Sequence, residues 1–116
     1  VTRWALAFPG TVTLELALRG IPAAVLAAVD PLTLFAGRRL LRGPWLGLPN
    51  LLLGREAFPE WAGRPGALTP AVLAGVWERL RVADGAAEGR RLRDLLGPPS
   101  GVAVAVAECL KLLEIT

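Results

Sequence analysis

Two short stretches carry the residue types that could handle a phosphorylated ligand. The first is Phe8-Pro9-Gly10-Thr11-Val12-Thr13-Leu14-Glu15, where a Gly-Thr turn after an apolar run opens a helix with a carboxylate one turn in. The first amides of a helix have no acceptor within it, and the helix dipole leaves that end positive, so such a turn suits an anion. Gly10 leaves room for a diphosphate against the backbone, while Thr11 and Thr13 offer hydroxyls and amides. The second stretch is Leu48-Pro49-Asn50-Leu51-Leu52-Leu53-Gly54-Arg55-Glu56, followed by Pro59-Glu60. An open parallel sheet would bring both stretches to one crevice. There the Asn50 amide could donate and accept toward a sugar or phosphate, Arg55 would add a cation, and Glu56 and Glu60 would orient it. Each has a plainer reading: an ordinary βα turn for Gly10-Thr11, a solvated helix carboxylate for Glu15, and an Asx turn for Asn50.

Other chemistries find little support. The chain has no His, the common base at neutral pH and the usual zinc ligand. No metal site and no cofactor are expected. The single Cys109 permits no internal disulfide, and its helical spacing with Val106, Leu110 and Leu113 predicts a buried, inert thiol. Ser100 follows Pro98-Pro99, where a helix cap is the economical role. Any base would have to be a carboxylate, with Glu15, Asp30, Glu56 and Glu60 the candidates near strand ends; none is assigned a catalytic role.

The elements that must position these residues read as α/β. Arg3 to Phe8 is a short strand broken by Pro9-Gly10, and Val12 to Leu18 a helix stopped at Gly20. The unbroken apolar run Ala23 to Val29 is a strand covered on both faces. Asp30-Pro31 is an N-cap followed by proline at the first helical position, which predicts a helix to about Leu41 with a stop at Gly43-Pro44. Trp45 to Leu48 is expected as the third strand, then a short helix near Arg55 to Trp61 and a loop from Gly63 to Leu68. Thr69-Pro70 starts the next helix, and Ala86 to Leu96 and Val102 to Ile115 complete a helical tail. The sum is a three-layer sandwich on a small parallel sheet.

The ordered series Gly10-Thr11-Val12-Thr13-Leu14-Glu15, Asp30-Pro31-Leu32-Thr33, Arg38-Arg39-Leu40, Leu48-Pro49-Asn50-Leu51 and Gly54-Arg55-Glu56 resembles the C-terminal domain of lipid-A-disaccharide synthase, from about Leu6 onward. That family consists of glycosyltransferases with two Rossmann-like lobes, the C-terminal one chiefly binding UDP. The resemblance implies the UDP-sugar-binding half of an inverting transferase, inactive without its acceptor lobe. It places Gly10, Thr11 and Thr13 at the diphosphate, Glu15 at the ribose hydroxyls, and Asn50 and Arg55 in the active-site region. Two departures stand out. Pro9 occupies the place where the family commonly has Ser, and it lacks an amide hydrogen. Ala27 and Ala28 stand where a Tyr-Arg pair is common, which removes stacking and charge from the crevice. These favour a second reading, a stand-alone interaction or scaffold domain that kept the fold and lost the nucleotide.

With 116 residues the chain is expected to be one domain, 1–116, with a helical tail from about 69 to 116 and no room for a second lobe. Hydrophobic residues make up 53% of it and the mean hydropathy is +0.49, so apolar surface should stay exposed. The tail from Val102 is more apolar than one stripe requires, which predicts packing on a second copy, as a homodimer, or on a missing acceptor lobe. The net charge of +3 is carried almost wholly by Arg, in clusters at Arg38, Arg39 and Arg42 and at Arg90, Arg91 and Arg93. Solvated helix faces are the bland account, and contact with anionic headgroups the functional one. Nucleic acid is not expected, because no aromatics alternate with the basic residues. No stretch reaches roughly 18 uncharged apolar residues, and no signal-peptide order is seen. A cytoplasmic protein is expected, with peripheral contact at the inner membrane.

Overall fold

The computed structural model describes residues 3–40 and 45–115. Strand β1 (Ala5–Ala7) is followed by helix α1 (Thr11–Leu18), β2 (Ala23–Ala28), α2 (Pro31–Leu40), α3 (Leu48–Leu53), β3 (Glu60–Gly63), a 3-10 turn (Pro65–Ala67), α4 (Pro70–Leu80), α5 (Gly85–Leu96) and α6 (Gly101–Ile115). The three strands form one parallel sheet in the order β1-β2-β3. Ala7, Val25 and Glu60 share one row across it, so the end of β1 is level with the start of β3.

Local chemistry explains the helix starts. Asp30 accepts the Thr33 amide at 3.0 Å and the Thr33 hydroxyl at 2.5 Å, with Pro31 leading α2. The Thr69 hydroxyl accepts the Val72 amide and Asp84 accepts the Ala87 amide, which sets the first turns of α4 and α5. Gly20 closes the α1 turn at φ 77, a left-handed conformation that side chains resist.

The sheet is covered on both faces. Ala24 and Leu26 of β2 pack with Val76 and Leu80 of α4, joined by Trp61, Leu68 and Leu73. A second core joins Ala17, Phe58 and Leu92, with Leu14, Leu18, Leu53, Ala57 and Ala83 around it, and here α1, α3 and α5 pack together. Both faces of β2 are covered, which explains its lack of polar alternation.

The sequence expectation fails at the third strand. Trp45 to Leu48 is not a strand; Leu48 begins α3, and the strand lies at Glu60–Gly63, where a short helix was expected. Pro49 at the start of α3 and the left-handed Gly54 at its end, φ 69, favour a helical turn through Asn50 to Leu53. Cys109 is exposed rather than buried, because α6 projects away from the body. The radius of gyration is 17.1 Å, against about 13 Å for a globule of this length. The expected stop at Gly43-Pro44 lies outside the described residues. A window between Gly85 and Glu114 is apolar enough for a membrane span, but Gly97 to Ser100 divide it into helices of 12 and 15 residues, short of the roughly 20 a crossing needs.

Helix α5 approaches α1 through glycines. A Cβ on Gly89 would lie 2.6 Å from the Ala17 carbonyl oxygen, and one on Gly85 would strike the Gly20 carbonyl. Backbone cannot yield as a flexible side chain would. Gly89→Ala should therefore cost about 1–3 kcal/mol and lower the melting temperature in a circular-dichroism melt; an unchanged midpoint would show that α5 can move off α1 without loss.

Candidate functional site

The first turn of α1 is open. Gly10 precedes it with no side-chain cap, and a Cβ built at Gly10 meets nothing within 4 Å. Pro9, Gly10 and Thr11 are exposed. Thr13 is turned inward: it is 1% exposed and its hydroxyl donates to the Gly10 carbonyl at 2.8 Å, which fixes the turn. Its backbone amide belongs to the first turn, but its hydroxyl is taken. Glu15 is exposed on the following turn. The open end thus offers backbone amides and the Thr11 hydroxyl, a donor set for an anion.

Asn50 is committed elsewhere. It is 1% exposed, and its Oδ1 accepts the amides of Ala57 at 2.8 Å and Phe58 at 3.0 Å. Its Nδ2 donates to the Phe58 carbonyl at 2.8 Å and to Glu60 Oε2 at 2.9 Å. A side-chain amide has two donor and two acceptor positions, and all four are filled. Glu60 in turn accepts the amides of Leu46 at 2.7 Å and Gly47 at 2.8 Å. The Pro-Asn and Pro-Glu motifs therefore form one latch that fastens the segment entering α3 to the start of β3. Gly47 belongs to it as well, since a Cβ there would lie 2.8 Å from Val25 Cγ2 and 2.9 Å from Glu60 Oε2. Val25 and Glu60 share their row with Ala7, so the latch sits level with the end of β1, from which the chain passes to Gly10.

Arg55 is engaged by α5. Its guanidinium pairs with Glu88 of α5, which also binds Arg91 at 2.8 Å. Glu88 lies between Gly85 and Gly89, the glycines that pack on Gly20 and Ala17 at the C-terminal end of α1. Helix α1 is 8 residues long, or about 12 Å, and its C-terminal end is the part that Gly85 and Gly89 meet. Glu56 pairs with Arg79 of α4 at 2.9 Å, and Glu60 serves the latch; neither orients Arg55. Trp61 packs into the α4 core. Asp30, beyond the end of β2, is a cap: the Thr33 hydroxyl and amide hold its carboxyl below the usual range. Because its folded value is lowered, this contribution is present above the ordinary Asp value and is lost as pH falls through the folded one.

The structure thus keeps Gly10, Thr11 and the Thr13 amide at one open end, sets the latch level with the end of β1, and engages Arg55 in an ion pair with Glu88. Sequence reasoning missed Glu88 and the structural duty of Glu60. The one signal for Glu88 was its place between two glycines spaced one helical turn apart.

The family model described as lipid-A-disaccharide synthetase matches residues 1–75, which span the open turn and the whole latch. The chain belongs to that family. A lipid-A-disaccharide synthase of Gluconobacter oxydans is 38% identical over 117 residues, covering 95% of this chain and 28% of that protein. One of Granulibacter bethesdensis is 50% identical over 56 residues, 48% of this chain and 14% of that protein, and one of Geobacter metallireducens is 45% identical over 51 residues, 44% and 13%. The chain therefore spans less than a third of each of these relatives. No solved structure matches it. In this lipid-A-disaccharide synthetase family member, the α/β frame and its helical tail are those the sequence motifs imply.

The latch should show in stability. Asn50→Ala leaves the buried amide and carbonyl of Phe58 and the half-buried amide of Ala57 without their partner, so it should cost about 3 kcal/mol or more, read by urea denaturation. A loss below about 1 kcal/mol would mean that water or neighbouring groups replace the side chain.

Proposed function

We propose that this chain is the UDP-sugar-binding part of a lipid-A-disaccharide-synthase-like inverting glycosyltransferase, inactive without an acceptor lobe. The observation that carries the reading is the uncapped, unobstructed start of α1 at Gly10-Thr11, within the segment matched by the family model. In this reading the Thr11 hydroxyl and the first-turn amides hold the diphosphate. Glu15 accepts the ribose hydroxyls as a charge-assisted pair. Asn50 acts indirectly, by holding the α3 entry and β3 in register beside that turn. Attack on the anomeric carbon needs an acceptor hydroxyl held in line and a carboxylate base to take its proton, both supplied from a second lobe. The protein would work in the cytoplasm.

A second reading, an interaction domain that keeps the fold without the nucleotide, is favoured by the internal use of Asn50 and the ion pair that engages Arg55. Titration with UDP separates the two. Saturable quenching of tryptophan fluorescence at micromolar UDP, weakened about tenfold or more by Glu15→Ala, a loss of about 1.4 kcal/mol, is the expected result; no binding below millimolar UDP favours the interaction domain.

Helix α6 bears on assembly. Val102, Val104, Val106, Leu110, Leu112 and Leu113 are all exposed on it. We propose that it packs on a second copy, or on the acceptor lobe where one is present. Light scattering at tens of micromolar should then give the mass of a dimer, and a monomer would count against self-association.

A further inference from the structure

Helix α6 buries nothing. Every residue from Gly101 to Glu114 is exposed, and the stretch Gly101 to Ala107 carries no charge. Residues three and four apart share a helix face, so Val102, Val106 and Cys109 form one stripe along it. On α5 the row Gly85, Gly89 and Leu92 is buried against α1. Leu96 comes next in that row, yet it is 47% exposed. It lines a groove of about 720 Å³ together with Leu18 of α1, Arg93 of α5, and Pro98 and Pro99 beyond it. The Arg93 guanidinium donates to the Leu18 carbonyl and ties the two helices together there.

The groove and the helix meet at one joint. Only Gly97, Pro98, Pro99 and Ser100 separate α5 from α6, and links of about 2–5 residues are those that join antiparallel helices in an αα-hairpin. Gly97 stands at φ 76, and a glycine adopts negative φ as readily, so rotation at this one residue redirects α6 as a whole. Pro98 and Pro99 keep the rest of the link stiff. A tether this short gives α6 an effective concentration on the order of millimolar at its own groove. In dilute solution the helix therefore meets that groove before it meets a second copy.

We infer that α6 is a hinged strap: turning at Gly97, it lays the stripe of Val102, Val106 and Cys109 over Leu18 and Leu96 as the second arm of an αα-hairpin. The extended arrangement is its open state, in which the helix is offered to a partner. Packing on a second copy or on an acceptor lobe then competes with closure, and a partner that takes α6 also uncovers Leu18 and Leu96. The inference does not depend on nucleotide binding.

Cys109 is the chain's only cysteine, so the rate at which a maleimide labels it reports on α6 without an added probe. At protein concentrations below about 1 μM, far under the tethered value, the parent should be labelled about tenfold or more slowly than variants unable to close, because a covered thiol reacts only through opening. Leu96→Ser, and Val102→Ser with Val106→Ser, are those variants; the three positions are exposed in the open state, and an unchanged circular-dichroism spectrum confirms that each variant folds. Leu95→Ser, exposed but outside the groove, should be labelled as the parent is. Small-angle scattering of the monomer should give a radius of gyration nearer about 13 Å than the 17.1 Å of the open state. Four results would overturn the inference: a parent labelled as fast as the groove and strap variants, protection that grows with protein concentration and so belongs to a second copy, equal acceleration by Leu95→Ser, or a monomer that keeps the open radius.

Discussion

A buried amide with every hydrogen-bonding position filled holds this domain's architecture together. Asn50 fastens the α3 entry to the Ala57–Phe58 backbone and to Glu60, and Glu60 fastens Leu46 and Gly47. Polar groups taken from water are costly unless paired, so the pairing admits few alternatives. The latch therefore fixes both where α3 begins and where β3 joins the sheet. A parallel strand as short as Glu60–Gly63, opening on a glutamate, has little intrinsic strand preference; it stands where it does because its first side chain is anchored.

The same constraint divides the labour among the polar residues. Thr13 and Asn50, the most chemically suggestive of them, are fully buried and serve the fold. Glu88 of α5 holds Arg55, which follows α3, and Arg91 of its own helix. What stays outside is Gly10, Thr11 and Glu15, on a helix start that the protein itself does not cap. A binding site built this way relies on backbone amides, whose geometry depends on the frame behind them. In such a design a substitution in the latch would injure function through position, without touching a ligand.

Much of the frame was legible. The unbroken run Ala23 to Ala28, the cap-and-proline pairs at Asp30-Pro31 and Thr69-Pro70, and Gly20 after α1 each act through neighbours in the chain, so their signals are local. The exchange of strand for helix between Trp45 and Trp61 was not legible, because it turns on hydrogen bonds between residues ten or more apart, Glu60 to Leu46, Gly47 and Asn50. Asn50 looked like a ligand residue for the same reason: its type announces hydrogen bonding but not with whom. The ion pair of Arg55 was not legible either, because its partner, Glu88, lies 33 residues on and reads as an ordinary helix carboxylate. Cys109 has the spacing of a core position, yet the helix that bears it is exposed along its length among the described residues.

The central claim is that the ligand-facing groups are the amides at the start of α1 and that the Asn50 latch stands behind them. The most direct measurement is a nitrogen-proton correlation spectrum of the labelled chain titrated with UDP. The account predicts saturable shifts led by the backbone amides of Thr11, Val12 and Thr13, with the side-chain amide of Asn50 nearly still. Shifts led by the Asn50 side chain with a silent α1, or a spectrum that UDP leaves unchanged, would contradict it.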